Sequence, residues 1–251
     1  MQRYFLDEPL AVGQTIELTG EIAHHMLKVM RMQVDQLVEL VSVTEQAFVA
    51  VITALDGPSK LVQLQIQSVI TTQVELPVAT TIVCGLSKGD KTDWIVQKGT
   101  QLGAQRFIFC NSQFSIAKWD AKKQFKKIQR IQKIAQEAAE QAHRTHVPTV
   151  EWRADLKAVT QEAATVKLIA YEESAKTGET AQLVQSLSQL SAGQQLLCVF
   201  GPEGGLAPQE VAQLVAAGFV VAGLGPRFLS AETAPLYLLS ALSYVTELAT
   251  L

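Results

Sequence analysis

The chain has 251 residues, 48% of them hydrophobic and 18% charged, with a formal net charge of −3. That length can bury a sizeable core and favours two joined domains, and the lack of any uncharged apolar run of about 18 residues excludes a membrane-spanning helix. The opening Met1-Gln2-Arg3-Tyr4-Phe5-Leu6-Asp7-Glu8-Pro9 has no apolar secretory segment before its acids, so a cytoplasmic protein is expected.

Up to about residue 72 the pattern is mostly β. A helix is predicted from Glu21 to Arg31, and strands from Leu37 to Val43 and from Ala47 to Leu55. Val62, Leu64 and Ile66 then alternate with Gln63, Gln65 and Gln67, the period of a strand with one wet face. The turn-like Thr71-Thr72-Gln73 ahead of Pro77 closes this small domain, placed at residues 1–72.

From residue 73 to 251 strands and helices alternate, which predicts an α/β domain with a parallel sheet. A buried strand from Thr80 to Leu86, a helix from Lys91 to Leu102 closed by Gly103, and a strand from Arg106 to Cys110 form a βαβ unit. A long helix from Ala121 to His143 sets Phe125, Ile128, Ile131, Ala135, Ala138 and Ala142 in one apolar stripe, and Pro148 marks its exit. Further strands are expected at Val166 to Tyr171, Gln195 to Phe200 and Phe219 to Leu224, with helices at Thr180 to Leu190 and Pro208 to Ala217. Pro208 suits a first-turn position, while Ala207 before it is a poor cap. The last helix runs to the C-terminus from a start between Ser230 and Ala234, because Pro235 is tolerated only near its beginning. Its apolar face (Leu236, Leu238, Leu239, Leu242, Tyr244, Val245, Leu248) is wide enough to pack on its own domain and on a second subunit.

Cys84, Cys110 and Cys198 lie inside apolar strand-like runs, with no CxxC pairing and no histidine at ligand spacing. They read as core residues rather than metal ligands or a catalytic thiolate, and no metal is expected. Lys118 to Lys133 holds seven cations (Lys118, Lys122, Lys123, Lys126, Lys127, Arg130, Lys133) and one acid, Asp120. Such a run is either a solvated helix face or a phosphate-facing patch.

Two glycine-rich corners, Gly201-Pro202-Glu203-Gly204-Gly205 and Leu224-Gly225-Pro226-Arg227, each follow a short apolar strand and suggest one shared, backbone-lined pocket. A β-branched side chain at Gly204 is expected to fill that approach. A third loop, Gly85-Leu86-Ser87-Lys88-Gly89-Asp90-Lys91-Thr92, fails as a phosphate loop: it has three residues between its glycines instead of four, and Asp90 stands in the place of the lysine. Gly223-Leu224-Gly225-Pro226-Arg227-Phe228 fails as a dinucleotide fingerprint, with Phe228 in place of the third glycine and no room for a further strand.

The two corners, the second continuing through Phe228-Leu229-Ser230-Ala231-Glu232-Thr233-Ala234, closely resemble the C-terminal knot of the SPOUT methyltransferases. The resemblance is in particular to the RsmE-type 16S ribosomal RNA uridine-N3 methyltransferases. Arg3-Tyr4-Phe5, His24-His25-Met26-Leu27-Lys28-Val29-Met30-Arg31, Lys88-Gly89-Asp90-Lys91-Thr92-Asp93-Trp94 with Gln97-Lys98 and Leu102-Gly103, and Glu137-Ala138-Ala139-Glu140-Gln141-Ala142-His143-Arg144 follow that family in order. The resemblance implies a PUA-like β-barrel, then a SPOUT-type parallel sheet ending in a trefoil knot, an exception to the rule against knotted chains. It further implies S-adenosylmethionine as cofactor, 16S rRNA or the small ribosomal subunit as partner, and a homodimer through the C-terminal helix and knot. On that likeness the cofactor would meet Phe200, Gly201, Pro202, Glu203, Gly204, Leu224, Gly225, Arg227, Phe228, Leu229 and Thr233, with Tyr171 as a further wall.

Methylating uridine N3 requires an accessible base and the loss of a proton. Glu232 is a candidate base or simply a first-turn acid, and Arg144 and Arg227 are candidates to stabilise the N3 anion or to form ion pairs. Arg3, His24, His25, Lys28 and Arg31 would form one RNA-facing basic surface; Lys88, Lys91 and Lys98, with Gln141, would add further substrate contacts. Three positions depart from the family: Ala142 removes a hydroxyl, Phe114 stands where an arginine would meet phosphate, and Gln101 replaces an acid. A non-catalytic RNA-binding assembly factor with the same fold, and a phosphate-loop hydrolase, are the competing classes.

Overall fold

The computed structural model describes residues 1–120, 122–171 and 181–249, so the expected helix starts at Ala121 and Thr180 lie outside the described residues. The chain divides into two units, Met1–Val74 with Glu140–His146, and Glu75–Ala139 with Val147–Leu251. Among the described residues no helix is long and apolar enough to cross a membrane.

The first unit carries β1 (Arg3–Phe5), β2 (Thr15–Leu18), α1 (Gly20–His24), β3 (Leu37–Val41), β4 (Ala47–Asp56) and β5 (Leu61–Ile70). They form a five-stranded sheet in the order β1-β3-β4-β5-β2, with β1 and β3 parallel and the other pairs antiparallel. The alternation read in β5 holds: Val62, Leu64 and Ile66 are buried, facing Tyr4, Met26, Leu40, Phe48 and Ile52 in one cluster. The expected helix to Arg31 stops earlier. After His24 the backbone widens into a π-turn over His25–Val29, and Arg31 takes a left-handed φ of 51°. The Met32 N–H donates back to the Met26 carbonyl at 2.9 Å, which closes the turn and returns Met32 to the core beside Met26.

Residues 140–146, assigned above to the second domain, pack with the first unit because charges hold them there. Arg3 is 3% exposed, so it is not part of a basic surface. Its guanidinium pairs with Glu39 at 2.8 Å and donates to the carbonyls of His143 and Arg144. His143 Nδ1 donates to Glu39 at 2.6 Å and His146 Nδ1 to Glu45 at 2.7 Å; a carboxylate only accepts, so both rings carry the proton on Nδ1. A buried cation needs such partners, and this network supplies them.

The second unit comprises β6 (Ala79–Gly85), α2 (Lys91–Gln101), β7 (Arg106–Cys110), α3 (Lys123–Gln141, whose last two residues join the first unit), β8 (Thr149–Arg153), β9 (Val166–Ala170), α4 (Gln182–Ser188), β10 (Gln195–Phe200), α5 (Pro208–Ala216), β11 (Val220–Ala222) and α6 (Thr233–Ser243). All its strands are parallel, in the order β11-β9-β10-β6-β7-β8. Both faces are covered, as a parallel sheet requires. Leu196, Cys198 and Phe200 of β10 enter one core cluster, while Leu197 and Val199 enter the other.

Strand β8 had no counterpart in the sequence reading. It is an edge strand that pairs with β7, turns Val150 and Trp152 to the core, and is flanked by charge: Arg106 reaches Glu151 at 2.5 Å and Glu162 at 2.7 Å, and Arg153 reaches the same two acids. The α3 stripe begins at Ile128, because Phe125 is 61% exposed. Ala207 gives α5 no side-chain cap, and Glu210 substitutes by accepting the Ala207 N–H at 2.9 Å. On α6, Leu238, Leu239 and Leu242 are buried, while Tyr237 and, in the π-turn after it, Tyr244 and Leu248 are exposed.

Burial pushes the Glu39 carboxyl up, but His143 and Arg3 outweigh it and hold it below its ordinary 4.5. The stability it contributes is therefore present above that value and lost as the pH falls through the lower folded value. Arg3→Ala should cost the first unit roughly 3 kcal/mol by leaving Glu39 buried without its guanidinium partner. It should also move acid unfolding to higher pH, with faster amide hydrogen exchange in β1 and β3 as the readout.

Candidate functional site

The carboxyl ends of β9, β10 and β11 open onto a cavity of about 770 Å³, where ligands bind in open parallel sheets. Its first lip is the chain leaving β10. A side chain at Gly201 would put its Cβ 2.7 Å from the Gly205 carbonyl carbon, so the corner folds back tightly on itself, closed by the Gly205 N–H donating to Pro202 O at 2.8 Å. The second lip follows the shortened β11. Gly223 and Leu224, expected as strand, have left the sheet, and Gly225 turns the chain at a left-handed φ of 92°.

The two lips share the cavity, as their sequence proximity suggested. Tyr171, Phe200, Gly201, Pro202, Glu203, Gly204, Leu224, Gly225, Arg227, Phe228 and Leu229 all line it. Thr233 does not; its hydroxyl is bonded to Ser230 at 2.9 Å, and its neighbours Ser230 and Ala234 form the wall instead. Lys91 and Phe114 also line the cavity. Sequence reasoning had given Lys91 to RNA backbone contact and Phe114 no contact at all, although each follows the carboxyl end of a parallel strand, the general place for a ligand. The nearest obstacle to a side chain at Gly204 is Phe114, whose Cβ would lie 2.9 Å away.

Charge ties the lips together. Lys91, the first residue of α2, lies 3.0 Å from Glu203 on the first lip and 3.3 Å from Glu232 beside the second. The Lys88 N–H donates to Glu203 at 3.2 Å. Burial pushes both carboxyls up, but their own backbone N–H groups and Lys91, with the Lys88 N–H for Glu203 and the Ser230 hydroxyl for Glu232, hold both below their ordinary value. Glu203 and then Glu232 hold Lys91 above its own, so it is a fixed cation at neutral pH. The three cysteines are buried, and burial pushes the Cys110 thiol up to about 12, which excludes a thiolate nucleophile.

The remaining candidates lie elsewhere in their units. In the first, Arg144 is 2% exposed, His25 is bonded to the Tyr4 hydroxyl at 3.0 Å, and His24, Lys28, Arg31 and Gln141 are exposed. In the second, Lys88 is exposed and Lys98 lies over the Trp94 ring at 5.2 Å. The basic run is partly neutralised, since Arg130 forms a two-pronged pair with Asp93 at 2.5 and 2.8 Å, and Lys127 lies over Trp119.

Residues 74–243 match the family model for an RNA methyltransferase domain, and residues 18–65 the model for an RNA methyltransferase PUA domain. A curated relative from Bacillus subtilis (strain 168), ribosomal RNA small subunit methyltransferase E, is 42% identical, covering 99% of this chain and 98% of its own. Among solved structures, ribosomal RNA small subunit methyltransferase E from Neisseria gonorrhoeae bound to S-adenosyl methionine aligns with a TM-score of 0.84 at 29% identity, over 98% of each chain. A methyltransferase from Legionella pneumophila in complex with the bound cofactor SAM aligns with a TM-score of 0.83 at 27% identity, over 96% of each chain.

Lys91→Met removes the cation shared by Glu203 and Glu232. Both carboxyls should then titrate at higher pH than in the parent, and Lys91→Arg should restore most of the difference. Side-chain carboxyl carbon shifts followed by NMR through the acid range check this.

Proposed function

The chain belongs to the ribosomal RNA small subunit methyltransferase E family, and from that premise we propose that it methylates N3 of one uridine in the decoding region of 16S rRNA, using S-adenosylmethionine. The observation that carries the reading is the 770 Å³ cavity, lined by both glycine corners at the carboxyl ends of a parallel sheet. Its size is within the roughly 300–1,000 Å³ of small-molecule sites. Its walls suit a cofactor with a flat apolar end and a charged end: Leu224, Phe228 and Leu229 for the adenine, the backbone of both corners for the polar groups, and Glu203 on the side of the positive sulfonium.

When bound, the cofactor supplies a methyl group already activated on sulfur, which passes to N3 as the carbon–sulfur bond breaks. The chain's own task is to orient that group and manage the N3 proton. Glu203 and Glu232 are poor bases because their environment already favours the charged form. We therefore assign Glu232 to holding Lys91, the N3 proton to solvent, and stabilisation of the N3 anion to Arg227, exposed at the second lip. Arg144 is buried, and its carbonyl is held by Arg3, so we assign it to fixing residues 140–146.

Residues 1–72 are the RNA-holding PUA-like domain in this reading, with exposed His24, Lys28 and Arg31 on phosphates, and residues 73–251 are the SPOUT domain, whose C-terminal passage forms the trefoil knot. The exposed Tyr237, Tyr244 and Leu248 are the surface by which two copies pair, and the protein works in the cytoplasm.

Purified protein given methyl-labelled S-adenosylmethionine and 16S rRNA, naked or in small subunits, should yield labelled N3-methyluridine on nucleoside digestion. Label on another atom would overturn the assignment, and binding without any label would favour the assembly factor. Phe228→Ala should weaken cofactor binding about tenfold by removing an apolar wall. The transfer rate should keep rising with pH through the neutral range instead of levelling above the carboxylate range, as loss of the N3 proton to solvent requires.

A further inference from the structure

We propose that Phe114 is the platform on which the target uracil ring stacks beside the methyl donor, a role that rests on the function proposed above. Phe107, Phe109 and Phe200 of the same unit are fully buried, whereas Phe114 is 43% exposed and lines the cavity. An apolar ring kept in the open at a ligand site calls for a flat partner.

The loop that carries the ring is held from behind. The Ser112 N–H donates to the Ser115 hydroxyl at 3.1 Å, the two hydroxyls meet at 3.0 Å, and the Gln113 N–H donates to Glu210 at 2.8 Å. Glu210 is also the group that caps α5, so the loop carrying Phe114 is fastened to the helix bordering the first lip. The Phe114 Cβ abuts Gly204, where no side chain fits between them. The loop backbone and the Phe114 Cβ are thus set before any ligand arrives, which lowers the entropy cost of stacking.

The surroundings suit a nucleotide. Arg227 is exposed and lines the same cavity, so a cation stands beside an incoming nucleotide, while the ring offers no charge and takes only a base. Uracil swung out of a helix loses its stacking neighbours, and an aromatic side chain replaces them. The sequence position that would meet a phosphate as arginine instead reads the base as phenylalanine.

Phe114→Leu keeps the Cβ and Cγ that touch Gly204 and removes the π-face; Phe114→Tyr keeps the face. With the full-length protein, Phe114→Leu should raise the KM for 16S rRNA about tenfold. The Kd for S-adenosylmethionine and the melting temperature should stay at parent values, and Phe114→Tyr should restore the KM. A cofactor Kd that weakens in step with the KM would assign the ring to the adenine and overturn the proposal, as would an unchanged KM. Failure of the parent protein to transfer methyl to N3 would remove the reading beneath it, an outcome distinct from a parent that transfers normally beside an unaffected Phe114→Leu.

Discussion

The site depends on one steric constraint: where the neighbouring strands β6 and β10 end, there is no room for a side chain. A Cβ at Gly85 would stand 2.5 Å from the Pro202 ring and 2.9 Å from its nitrogen, and one at Gly201 would stand 2.7 Å from the Gly205 carbonyl carbon. Real Cβ contacts are not that short, so backbone packs directly against backbone at the centre of the sheet. The chain leaving β10 must therefore turn at once, and in turning it faces its main-chain groups to the cavity. Bulky strands on both sides make this economical: Phe200 ends β10 fully buried, so the sheet is rigid up to the residue before the corner.

Charge performs two different tasks in the two units. Around Arg3 the ion pair with Glu39 is buried, and His143 and the carbonyls of residues 143 and 144 complete its hydrogen bonding; removal of one partner strands the other, which makes the cluster a strong but brittle fastening for residues 140–146. Around Lys91 the ions are about a quarter to a third exposed, and screening leaves such pairs worth little as stability. Their value is geometric. One ammonium at the start of α2 reaches acids on or beside both lips, so the distance between the two corners is set by a side chain rather than by the sheet alone.

The strands of the second unit were legible because their burial is simple. β7 and β10 are continuous apolar runs that alternate between two cores, and their bounds agree with the expectation to the residue. Strand β8 went unread although Val150 and Trp152 alternate with Thr149, Glu151 and Arg153 and face the core, because five residues with only two apolar positions make a short signal. Arg3 illustrates a second limit. A lone arginine near a chain start reads as surface charge until Glu39, far away in sequence, accounts for its burial. The glycine corners were legible as a pair because backbone-lined turns leave a compositional trace. Phe114 was not, since nothing local distinguishes a ring that faces a cavity from one that faces a core.

The low carboxyl values at the lips agree with a donor that arrives already activated. An enzyme that must tear a proton from carbon raises a carboxyl toward neutrality by burying it away from cations. Here the opposite arrangement holds, with each lip carboxylate given backbone N–H groups and a shared lysine that favour its charged form. Such groups contribute a fixed spacing between the walls and, in the proposed function, a fixed negative field beside the cationic sulfur. In the proposed transfer the methyl donor is a sulfonium that leaves as a neutral thioether and the nucleophile is an N3 anion, so alignment is a large part of what the protein contributes. A rigid strand end, a backbone corner without side chains and an ion bridge across the opening all act on alignment, and none needs to change protonation during the reaction.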